Sequence, residues 1–171
     1  MKTIKGDLIK LAEEGVFDVI FHGCNCFHKM KSGLAKQLAD RYPIVEEIDR
    51  QSEFGDVSKL GTSTQVIVKS LTTNRMFIVK NVYTQYYWSR GKDVFEYDAF
   101  QRFLNDTAKL IIQSHTSKEG FVTPIERPHY GFPQIGAGLA GGNWNRISKM
   151  IEKFSEDVSD YADVTVVEYQ P

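Results

Sequence analysis

Phe132-Pro133-Gln134-Ile135-Gly136-Ala137-Gly138-Leu139-Ala140-Gly141-Gly142-Asn143 leads out of a short apolar run and into a helical one that begins near Trp144. Glycines let a backbone approach an anion with no Cβ in the way. Backbone N–H groups at a helix start carry the positive end of the dipole. The stretch therefore reads as strand, anion-binding loop and helix, with Asn143 placed to cap the helix. Residues 136, 138 and 141 also match the dinucleotide fingerprint G-x-G-x-x-G. That fold needs a second half of βαβ units after the loop, and only residues 142–171 follow, room for one more strand. The loop reads as a phosphate loop and not as a Rossmann turn.

Outward from the loop, short and long apolar clusters alternate. Phe17–Phe21, Thr64–Val68, Met76–Val79 and Val164–Val167 are β-branched or aromatic and bounded by polar residues, as buried strands are. Thr3–Lys5, Phe121–Thr123 and Phe132–Ile135 are weaker strands. Phe100, Phe103, Leu104, Thr107, Leu110 and Ile111 share one helical face, as do Trp144, Ile147, Met150, Ile151, Phe154 and Val158. Leu34, Ala35 and Leu38 make a shorter helix, and Pro43 starts another over Ile44–Ile48. Alternation of this kind predicts α/β layers, with helices packed on a mostly parallel or mixed sheet.

The 171 residues suit one domain, since the polar stretches 52–61, 89–92 and 114–120 are too short and unbiased for linkers. Twenty-one basic against 22 acidic side chains disfavour general nucleic-acid binding. No apolar run spans a bilayer, and the start lacks the features of a signal peptide. Cys24 and Cys26 lie too close for a loop-closing disulfide framework, so a reduced, cytoplasmic protein is expected.

The strand Phe17–Phe21 runs into His22-Gly23-Cys24-Asn25-Cys26-Phe27-His28. Ligands of α/β sheets bind outside the carboxyl ends of strands, which makes these polar residues candidates for chemistry. His22, Cys24, Cys26 and His28 alternate with one residue between them, a spacing that cannot easily close around one metal. No metal and no cofactor are expected. His22 suits proton transfer or attack on phosphorus, and equally a hydrogen-bonded place at a strand end. Asn25 offers the donor and acceptor that a sugar diol needs.

Gly6-Asp7-Leu8, His22-Gly23-Cys24-Asn25 and Pro133-Gln134-Ile135-Gly136-Ala137-Gly138-Leu139 occur in the order of three motifs of the macro domain family, which the chain resembles over nearly its whole length. The resemblance implies a single macro domain over 1–171, a three-layer α/β/α sandwich with a mixed sheet of about six strands that binds ADP-ribose. Gly33–Pro43, preceded by His22–Asn25, is most similar to the yeast-type ADP-ribose-1''-phosphate phosphatase branch. By that resemblance His22 is catalytic, as general base or nucleophile, without metal. Asp7, beside Leu8, takes the adenine amino group, and Asn25 contacts the distal ribose. Gly136, Ala137, Gly138, Leu139, Ala140 and Gly141 wrap the phosphates. The family's ribose-loop triple glycine reads Lys31-Ser32-Gly33, so only Gly33 carries over. Gln85 and Ala140 stand where the branch that frees glutamate or DNA has lysine and aspartate, and that chemistry is not implied. Tyr169 is the candidate for stacking on adenine. Three functions stay open: the phosphatase, a non-catalytic ADP-ribose reader, and a hydrolase of another ester such as O-acetyl-ADP-ribose. A monomer is expected.

Overall fold

A computed structural model describes residues 1–88, 94–116 and 126–171, and the strand expected at Phe121–Thr123 lies outside them. In chain order the elements are β1 (Lys2–Gly6), α1 (Leu8–Glu13), β2 (Val19–Asn25), α2 (Gly33–Arg41), α3 (Ile44–Arg50), a 3-10 turn (Val57–Lys59), β3 (Ser63–Lys69), β4 (Met76–Gln85), α4 (Tyr97–Thr116), β5 (His129–Pro133), α5 (Trp144–Asp157) and β6 (Asp163–Tyr169). The strands form one sheet in the order β1-β6-β5-β2-β4-β3. All neighbours are parallel except the β3–β4 pair. The sheet is therefore mixed, with five strands pointing one way.

Alternation along β2 sends Val19 and Phe21 to one face and Ile20 and Cys24 to the other. The first face packs on α4 and α5 through Phe100, Phe103, Leu104, Ile147, Ile151 and Phe154. The second packs on α1, α2 and α3 through Leu8, Ile9, Leu38 and Val45. Two helical layers on one sheet make the α/β/α sandwich.

Several details depart from the sequence expectations. Leu110 is 62% exposed, because α4 turns Ala108 and Ile111 inward in its place. β3 is an edge strand on which Val68 is buried but Ile67 stands in solvent. α3 runs on past Ile48 to Arg50 and turns Val45 into the core. α1 is an unforeseen helix, started by Asp7, whose Oδ1 accepts from the N–H groups of Ile9 (2.9 Å) and Lys10 (3.1 Å). β4 runs on through Lys80-Asn81-Val82-Tyr83-Thr84-Gln85, a stretch too polar to show as an apolar run.

Candidate ligand-binding site

The carboxyl ends of the five parallel strands lie along one edge of the sheet, and two cavities open there. One, of about 520 Å³, is lined by His22, Gly23, Asn25, Lys29, Lys31, Thr84, Gln85, Trp88 and Ile135, among others. The other, of about 320 Å³, is lined by Gly6, Asp7, Leu8, Gln37, Ala137, Val167 and Tyr169. Gly33, Leu34, Pro133, Gln134 and Gly138 line both, so the cavities adjoin along the glycine loop and the start of α2.

The loop's glycines do two different jobs. Gly136 has φ +74°, and a Cβ there would fall 2.2 Å from the Phe95 ring, so it seats the loop on the core. A Cβ on Gly138 would meet nothing within 4 Å, because that residue faces open space. The amides of Ala137, Gly141 and Gly142 are spent on Gln134, Gly138 and Gly136 carbonyls. Those of Gly138, Leu139 and Ala140 donate to no described residue. Leu139 and Ala140 line the larger cavity with Gly136. Gly141 lines neither cavity; at φ +70° it closes the turn into α5, which Asn143 caps through Arg146 N–H.

At the smaller cavity, Asp7 spends one oxygen on the α1 cap, and its Oδ2 accepts from no described residue. Tyr169 closes β6 opposite Gly6 of β1, which brings it beside Asp7. At the other end, Asn25 is only 6% exposed. Its Oδ1 accepts from Phe27 and Lys29 N–H groups at 2.9 and 3.3 Å, and its Nδ2 donates to Lys29 O at 3.0 Å. One Nδ2 hydrogen remains, so Asn25 can offer a ligand a donor and not the donor–acceptor pair expected. Lys29 and Lys31 add positive charge at this end.

His22 borders the larger cavity and is 1% exposed, with its ring on the face of Ile20 and Cys24. Asn81 Nδ2 donates to Val45 O and to Thr64 Oγ1, which turns Asn81 Oδ1 toward the imidazole. His22 Nε2–H therefore donates to it at 2.5 Å, and Nδ1 is left facing the Cys24 thiol at 3.7 Å. Burial pushes the His22 pKa down to about 4, against the Asn81 bond. His22, expected as general base or nucleophile, thus stands at the cavity edge with its ring hydrogen-bonded to Asn81 inside the protein. His28 is hydrogen-bonded to Ser52 Oγ at 3.1 Å. Thr84, Gln85, Trp88, Lys29 and Gln37 line the cavities without having been singled out as ligand contacts. Their signal was position at and just past the end of β4, ahead of α2 and one turn along it, visible only once those elements are in place.

Fold and site together define an α/β/α sandwich whose glycine loop, at the carboxyl edge of the sheet, carries amides that no described residue pairs. No protein-family model matches the chain. It is 36% identical over 172 residues to an uncharacterised 17.5 kDa protein of the tk-vs intergenic region of Enterobacteria phage T4, covering 100% of this chain and 97% of that one. It is 25% identical over 178 residues to the ADP-ribose 1''-phosphate phosphatase of Saccharomyces cerevisiae strain YJM789, covering 91% and 93% of the two chains. The macrodomain of Mycobacterium tuberculosis DarG superposes with a TM-score of 0.65 at 20% identity, covering 99% of this chain and 97% of that one. The Trypanosoma brucei macrodomain in complex with ADP-ribose does so with a TM-score of 0.63 at 14% identity, covering 98% and 62%. The fold is that of the macrodomains. Among the described residues no helix is long and apolar enough to cross a membrane.

Proposed function

We propose that residues 1–171 form one macro domain that binds ADP-ribose along the joined cavities and hydrolyses ADP-ribose 1''-phosphate without a metal. The observation that carries the reading is the continuity of the two cavities along one loop whose amides at 138–140 have no partner among the described residues. A long ligand with charge at its middle fits such a cleft. Adenine lies toward Asp7 and Tyr169, the pyrophosphate on Gly138–Ala140, and the distal ribose by Asn25. The relative named for this phosphatase activity supports the reaction, and the ADP-ribose complex of a structural neighbour supports the ligand. In hydrolysis water attacks phosphorus, the bond from phosphorus to the 1'' oxygen breaks, and that oxygen leaves with a proton. His22 is a positioning residue in this reading, holding the end of β2 under Gly23 and Asn25 through Asn81.

The buried His22 ring favours a second reading, a binding module without turnover. One pair of assays separates them: calorimetry with ADP-ribose, and phosphate release from ADP-ribose 1''-phosphate by purified protein with no metal added. Binding with release is expected. Binding with no release leaves the reader, and absence of binding overturns both.

A further inference from the structure

We propose that Thr84 recognises the phosphate carried by the distal ribose, a contact that rests on the phosphatase reading above. In the β2–β4 pairing Cys24 lies opposite Tyr83 and Asn25 opposite Gln85, so Thr84 is an extra residue without a partner in the ladder. Bulges of this kind re-aim a side chain, and they cluster beside functional sites. The residue is held from outside, its C=O accepting from Glu96 N–H at 2.8 Å.

Thr84 lines the larger cavity and is 1% exposed, yet its Oγ1 has no hydrogen-bond partner among the described residues. Asp49 Oδ2 is the other such buried atom among the described residues, and Asp49 lines neither cavity. A buried hydroxyl with no partner destabilises the empty protein, and one at a cavity wall is accounted for by a partner that arrives with the ligand.

Gly23 keeps the approach open. A Cβ there would stand 2.9 Å from Thr84 Oγ1 and 3.4 Å from Ile135, filling the space between β4 and the glycine loop. Asn25, two residues along the same face of β2, is the proposed ribose contact. A group on that ribose pointing inward over Gly23 meets the Thr84 hydroxyl. An ionised phosphate oxygen is the acceptor such a donor suits, and the bond needs no buried counter-charge.

The test compares wild type with Thr84→Val, which keeps the shape and removes the donor, and with Thr84→Ser, which restores it. Calorimetry measures affinity for ADP-ribose and for a non-hydrolysable phosphonate analogue of ADP-ribose 1''-phosphate. Wild type should prefer the phosphonate, and Thr84→Val should lose about tenfold or more of that preference, the effect of one hydrogen bond to a charged group. ADP-ribose affinity should stay unchanged, Thr84→Ser should recover the preference, and the ligand-free Val variant should melt no lower than wild type. An unchanged preference in Thr84→Val, no preference in wild type, or equal loss for both ligands would overturn the proposal. Failure of the phosphatase reading shows separately, as wild type that releases no phosphate.

Discussion

Asn81 Oδ1 accepts the Nε2 hydrogen of His22 at 2.5 Å, and both residues are essentially without solvent exposure. The Asn81 amide is itself oriented by α3 and β3, so elements distant in the chain decide which imidazole nitrogen carries the proton. A histidine held this way is a neutral strut.

His22→Gln, which can still donate to Asn81, should retain most phosphate release, whereas His22→Ala should lose it together with thermal stability. A general base contributes about 10²–10⁴-fold. Loss of that size in both variants, with both folded, would return His22 to the reacting atoms.

His22 also predicts a pH dependence of stability. Its pKa falls from 6.5 to about 4 on folding, so across that window the unfolded chain holds the extra proton. Stability therefore rises with pH from about 4 to 6.5, is complete above that, and is lost on acidification. The contribution is roughly 3 kcal/mol. Denaturant titrations at about pH 5 and about pH 7 should differ less for His22→Gln than for wild type.

Gly138→Val points a side chain into open cavity space at a residue whose backbone is not left-handed. It should melt like wild type and fail to bind ADP-ribose. Gly136→Ala drives a Cβ against Phe95 from a positive φ and should cost stability of about 1 kcal/mol or more. Calorimetry and thermal melts of the two variants check the division of labour in the loop.

Asp7→Asn keeps an oxygen for the α1 cap and offers adenine a donor in place of an acceptor. It should preserve stability, weaken ADP-ribose binding by about 1–3 kcal/mol, and leave ribose 5-phosphate binding alone. Asp7→Ala should lose about 1 kcal/mol of stability as well, the cost of the cap. Equal losses for the two ligands would make Asp7 a cap and nothing more.

Glu13, buried at the end of α1, holds the end of α2: Arg41 donates to it from Nε at 2.5 Å and Nη2 at 2.7 Å, and Tyr42 OH donates to the same carboxylate. Burial raises the carboxyl pKa, but the Arg41 and Tyr42 bonds outweigh it and leave the group below its ordinary range. That stability is present above the usual carboxylate pKa and is lost as pH falls through the lowered value. Glu13→Gln should cost about 2 kcal/mol at neutral pH, discounted because Arg41 is partly exposed. Chemical denaturation checks it.

The layers and the glycine loop were legible in the sequence because their causes are local. Apolar spacing from Phe100 to Ile111 and from Trp144 to Val158 places helices. Gly136 to Asn143 spells a tight turn into a capped helix whatever surrounds it. Asp7 and Asn25, singled out by resemblance, line the two adjoining cavities. What each atom of those side chains is free to do depends on register between strands far apart in the chain. The β1–β6 pairing brings Tyr169 to Asp7, the β2–β4 bulge leaves Thr84 without a ladder partner, and Asn81, hidden in the polar end of β4, accepts the Nε2 hydrogen bond of His22. Motif and periodicity report the path of the backbone. Hydrogen-bond partners and burial, which set the charge and reach of a functional group, exist only after distant segments have packed.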